Sequence, residues 1–156
     1  MIFQEGQAYE REFCVSGEVY NGFVDVFRDR NPLHTDAAFA KNKGFEGVVM
    51  HGNILNGFLS YFIGECLPTK DVIIHSQEIQ FKNAVYLNDT LNFKAQVVGV
   101  YESVNAIEFK FEFRRNLTKI NESTEGGVQL PDNQQVMTDK KPLLVAKGKI
   151  QIGLLV

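Results

Sequence analysis

The sequence predicts an α+β fold in which an antiparallel sheet buries one face against a single long apolar helix. Three observations carry this. Ile54, Leu55, Phe58, Leu59, Phe62 and Ile63 recur at helical spacing and make one broad stripe. From residue 72 onward the pattern changes to period two, most plainly at Ile107, Phe109, Phe111 and Phe113. The 156 residues suit one domain, 1–156, with a sizeable core.

The elements follow in order. Residues 8–16 partly alternate and predict a first strand. Asn21 suits a helix N-cap, with Phe23, Val24, Val26 and Phe27 on one face, and this helix must end before Pro32. A second helix is predicted from the cap at Thr35-Asp36 through Ala37, Ala38, Phe39 and Ala40, stopping at Gly44. The apolar helix follows His51-Gly52-Asn53, and Pro68 closes it. Strands are predicted at Val72–His75, at Glu78–Lys82 with Ile79 and Phe81 facing together, and at 90–101, 104–115 and 143–155. Asn88-Asp89 is a turn signal. Residues 116–141 are too polar for a core and read as a long loop excursion, a tolerated insertion.

Bulk composition narrows the function. The net charge of −3, with no long basic block, argues against a nucleic-acid partner. Thirteen Phe and no Trp suggest a large apolar interior or an apolar ligand tunnel. Cys14 and Cys66, far apart, give neither a disulfide framework nor a zinc signature. The first residues have no basic region followed by an apolar run, and no stretch has the apolar length of a membrane span. A cytoplasmic location and no membrane partner are expected.

The chemistry concentrates in Asp29-Arg30-Asn31-Pro32-Leu33-His34. Pro32 fixes φ, lacks an N–H and biases Asn31 toward extended geometry, so the segment reads as a stiff turn rather than a plain helix. It carries a carboxylate and an imidazole, the two groups that acid–base catalysis has to hold on one proton or water. Gly47-Val48-Val49-Met50-His51-Gly52 then opens the apolar helix. A helix N-terminus offers free N–H groups and positive potential, and Gly52 has no side chain to block approach. An acid–base pair with such a donor suits enolate chemistry.

Asp29 through Asp36 resembles the hydratase-2 motif of the MaoC-like (R)-specific enoyl-CoA hydratases and dehydratases. The resemblance continues through Ala37–Ala40, resumes at Gly47–Gly52 and reaches Ser60, with a weaker echo at Gln80–Leu91. It implies the hot-dog fold, an antiparallel sheet wrapped around a long central helix, in subunits that form homodimers or higher homo-oligomers. It implies reversible addition of water to a trans enoyl thioester of CoA or of an acyl carrier protein, with no metal or other cofactor. Asp29 and His34 match the family's catalytic pair and Gly52 its oxyanion donor. Asn31 matches the residue supporting the catalytic loop, and Ser60 a pocket residue. His51 is grouped with these substrate-binding positions and is read chiefly as fastening the helix start. Two departures stand out: Phe27-Arg28 replaces the usual Ser-Gly, and Ala84-Val85 the usual Pro-Val.

Three other functions compete. A carrier-protein dehydratase would use the same residues. A non-catalytic acyl-thioester-binding module is a further reading, to which Phe27-Arg28 gives some weight. A thioesterase would place a carboxylate on the central helix, and 52–64 contains no Asp or Glu.

Overall fold

The computed structural model describes residues 2–116 and 142–155. The expected loop excursion lies outside the described residues, save for its first residue, Asn116.

Five strands form one antiparallel sheet: β1 (Ala8–Cys14), β2 (Val72–Phe81), β3 (Thr90–Tyr101), β4 (Ala106–Arg115) and β5 (Leu143–Leu154). Their order across the sheet is β1-β3-β4-β5-β2. The helices are α1 (Gly17–Phe27), the single turn α2 (Pro32–Thr35), α3 (Ala37–Asn42) and α4 (Asn53–Tyr61). No helix of the described residues is long and apolar enough to cross a membrane.

α4 lies against the sheet because its stripe matches the sheet's buried face. Ile54, Leu55 and Leu59 are buried, and the chain continues past Tyr61 as a π-helical turn, Phe62–Cys66, that buries Phe62 and Ile63. Phe62 packs on Phe93 of β3 at 5.0 Å between ring centroids and edge-on against Phe109 of β4 at 5.8 Å. Phe58 stacks on Phe13 of β1 at 4.6 Å. Such pairs are worth about 0.5–1.5 kcal/mol beyond their buried area. The period-two residues of β4 are all buried, as predicted.

Three local expectations change. Asn21 does not cap α1; Ser16 does, with Oγ accepting from the Val19 N–H, so the helix starts earlier. The turn at 29–34 includes a helical turn, because a proline is acceptable at the first helical position, where its missing N–H has no intrahelical partner. The two predicted pieces at 72–82 are one strand, interrupted by a register shift between Ile74 and Ser76. This bulge changes which side chains share a face and hides the alternation. Phe81, at the strand's end, stands 51 % exposed.

Candidate active site

α1 delivers Asp29. The helix closes at Arg28, whose N–H donates to the Val24 carbonyl at 2.8 Å with φ 58°, ψ 22°. This left-handed conformation suits the glycine that the hydratase-2 pattern has here. Arg28 adopts it nonetheless.

The next residues hold one another. The Asp29 Oδ1 accepts from the Asn31 N–H at 3.1 Å, and Asn31 Oδ1 caps α2 by accepting from the Leu33 N–H at 3.0 Å. Asn31 therefore acts on the backbone of the turn, and it does not line the cavity. The Thr35 hydroxyl donates to the Asn31 carbonyl at 3.2 Å. The Tyr20 hydroxyl, from α1, donates to the His34 carbonyl at 2.7 Å.

α2 and the head of α4 are then fastened together. The Val49 N–H donates to the Leu33 carbonyl at 3.0 Å. Val49 returns the bond through its own carbonyl, 2.7 Å from His34 Nδ1. A carbonyl can only accept, so Nδ1 carries the proton and the neutral ring keeps its lone pair on Nε2. That Nε2 lies 4.0 Å from Asp29 Oδ2. Met50 donates to the Val85 carbonyl at 2.8 Å, which ties the same segment to the connection between β2 and β3.

His51 sits behind this pair, 3 % exposed. Its ring packs on His34 at 3.9 Å and on Phe23 at 4.6 Å. Its Nε2 lies 2.9 Å from the Asp29 backbone carbonyl, so this nitrogen is the protonated one. The same Nε2 is 3.9 Å from Asp29 Oδ2. Asp29, His34 and His51 together could be taken for a metal triad, with ligand atoms within 4.8 Å of one another. While His51 Nε2 donates to the Asp29 carbonyl, the ring's lone pair is on Nδ1, which is buried with no hydrogen-bond partner among the described residues.

The cavity that Asp29, His34, His51 and Gly52 line has a volume of about 480 Å³. Gly52 caps α4 with ordinary helical φ of −57°, so a backbone need does not explain the glycine. Space does: a Cβ there would lie 2.9 Å from Phe81 Cε1. Among the described residues nothing accepts the Gly52 N–H. Phe23, Phe45 and Phe81 complete the walls. The sequence placed Phe23 and Phe81 on element faces, and only the tertiary packing turns them toward the site. Ser60 is exposed on α4 and borders neither this cavity nor the groove beside it.

Comparison with known proteins assigns the chain to a family. The MaoC like domain family matches residues 3–115. An (R)-specific enoyl-CoA hydratase of Aeromonas caviae is 35% identical over 80 residues, covering 51% of this chain and 60% of the relative. A mitochondrial 3-hydroxyacyl-[acyl-carrier-protein] dehydratase of Arabidopsis thaliana is 29% identical over 110 residues, covering 70% and 65%. The chain thus spans less than two thirds of the length of these two curated relatives. The solved structure of an (R)-hydratase from A. caviae superposes with a TM-score of 0.74 at 23% identity, covering 97% of both chains. An R-hydratase from Pseudomonas aeruginosa gives 0.73 at 22%, covering 98% of this chain and 83% of that one. These likenesses establish the architecture as the hot-dog fold. With the family match running from before β1 to the end of β4, the chain belongs to the MaoC-like domain family.

Proposed function

We propose that the protein reversibly adds water to trans enoyl thioesters, giving the (R)-3-hydroxyacyl form, with Asp29 and His34 as the acid–base pair and the Gly52 N–H as oxyanion donor. One observation carries the reading. Asp29 Oδ2 and His34 Nε2 stand 4.0 Å apart on the wall of the cavity that Gly52 also lines. That separation is too long for a direct hydrogen bond. It suits two groups that each reach one shared water at about 2.8 Å.

Asp29 Oδ1 is occupied by the Asn31 N–H, so Oδ2 is the oxygen free to take a proton. In the hydration direction the water oxygen bonds to the β-carbon and one of its protons passes to the pair. The electrons of the double bond move onto the thioester carbonyl, whose growing negative charge the Gly52 N–H stabilises at the positive end of α4. A proton from the pair then completes the α-carbon. We assign Asp29 as base and His34 as its acid–base partner.

The A. caviae and A. thaliana relatives are named for CoA and carrier-protein substrates respectively. We favour CoA, the carrier of the first, and keep the carrier-protein dehydratase as the second reading. The functional unit in this proposal is a homodimer. β2 is a free edge of the sheet with Ile73 and Ile74 exposed, and such an edge invites pairing with a second chain.

The test is the fall in enoyl absorbance with crotonyl-CoA and longer homologues. Asp29→Asn and His34→Ala are each expected to lower the rate about 10²–10⁴-fold. Wild-type rates in either variant would sink the assignment.

A further inference from the structure

His34 belongs to α2, a single turn of four residues. A turn that short does not hold its shape alone, because helix formation repays its nucleus only over many residues. It keeps the shape that bonds from outside impose. The Pro32 carbonyl accepts from the Asp36 N–H at 2.9 Å, and the Leu33 carbonyl from the Val49 N–H at 3.0 Å. The His34 carbonyl is met by a side chain instead, the Tyr20 hydroxyl of α1 at 2.7 Å.

We propose that Tyr20 is a positioning residue whose hydroxyl sets the 4.0 Å gap between Asp29 Oδ2 and His34 Nε2. The inference rests on the hydratase reading of that pair. The two residues are braced crosswise. Asp29 comes off the end of α1, and its carbonyl is held from the head of α4 by His51 Nε2 at 2.9 Å. His34 is bonded through Nδ1 to Val49, beside the head of α4, and its carbonyl is held from α1 by Tyr20. Each residue is thereby tied to both helices, and each backbone carbonyl takes one of the crossing bonds.

Without the Tyr20 oxygen, His34 keeps its tie to Val49 and follows the head of α4. Its tie to the body of α1, fourteen residues earlier in the chain, is gone. The Asp29–His34 gap then varies with the placement of one helix against the other. A water can bridge the pair only while each group stays within about 3 Å of it. Displacement by about 1 Å costs up to about 10²-fold in rate. Phenylalanine at position 20 keeps the ring, which lies 5.9 Å from that of His51, and removes only the hydroxyl.

The experiment measures kcat and KM for crotonyl-CoA, per folded molecule, in wild type, Tyr20→Phe, His34→Ala and the double variant. We expect Tyr20→Phe to lower kcat about tenfold with KM within about twofold of wild type. In the His34→Ala background the same substitution should change the rate little, because a residue that acts through His34 has nothing left to act on. An unchanged kcat in Tyr20→Phe overturns the proposal. An equal fall in both backgrounds also overturns it and leaves Tyr20 a structural residue. The ring nitrogen resonances of the histidines separate this inference from the reaction on which it rests. If wild type hydrates no enoyl thioester, the reaction fails. The positioning role then stands only if Tyr20→Phe shifts the His34 ring nitrogens while those of His75, exposed on β2, keep their wild-type positions.

Discussion

His34 Nδ1 lies 2.7 Å from the Val49 carbonyl, and this one contact decides which face of the imidazole Asp29 meets. The bond is structural on one nitrogen and leaves the other for chemistry. Substitutions can separate the two roles. Asn at position 34 can reproduce the Nδ1 donor but not Nε2. His34→Asn is expected to stay within about 0.5 kcal/mol of wild type, whereas His34→Ala loses about 1 kcal/mol with the hydrogen bond. Both lose activity by about 10²–10⁴-fold. Denaturant titration alongside the hydration assay checks the split.

Arg28 holds φ of +58° immediately before Asp29. A side chain in this conformation costs roughly 1–2 kcal/mol, and glycine's extra freedom in the unfolded chain returns about 0.5–1 kcal/mol of that difference. Arg28→Gly should therefore stabilise the protein by about 0.5–1 kcal/mol, seen as a higher denaturant midpoint, with kcat/KM retained. A lower midpoint would mean that the arginine side chain contributes more than its backbone loses.

Gly52 and Phe81 share one space. Gly52→Ala puts a methyl group 2.9 Å from the Phe81 ring, which is half-exposed and free to swing. The expected loss of stability is below about 1 kcal/mol because the ring can yield. The rate should fall further, up to about 10²-fold, as methyl and ring crowd the N–H meant for the carbonyl. Phe81→Ala in the same chain should recover part of that rate. Equal rates with and without the ring would show that Phe81 plays no part.

Alkaline pH probes the core through Tyr9, whose ring packs edge-on against Phe62 and Phe109. Burial holds the phenol above its ordinary value. The folded state thus keeps a proton that the unfolded chain releases near pH 10. The stability this gives is complete below that pH and is lost as pH rises through the folded value. Between about pH 8 and pH 11, thermal unfolding of Tyr9→Phe should drop less than that of wild type.

Much of the molecule could be read from local pattern. The stripe of α4 and the alternation of β4 each repeat over several turns or pairs, and burial alone enforces them. Asp29, His34 and Gly52 lay in short motifs whose proline and glycine restrict the backbone. What stayed hidden depends on contacts distant in sequence. The bond from His51 to the Asp29 carbonyl spans 22 residues, and its donor was visible only as a histidine before a glycine. The bulge between Ile74 and Ser76 broke the alternation that would have joined the pieces of β2. The half-exposure of Phe81 was not legible, because period two cannot tell the end of an edge strand from its middle. The groove between α1 and α4 joins residues of two helices whose relative placement no spacing specifies.

Val49 is bonded to α2 in both directions, as donor to Leu33 and as acceptor from His34, while its neighbour Met50 is held by Val85. These bonds couple the acid–base turn, the head of the central helix and the β2–β3 connection into one cooperative unit. A lesion that breaks one of these bonds should therefore loosen the acid–base turn and the head of the central helix together, whereas a substitution that spares them slows the chemistry without opening the site.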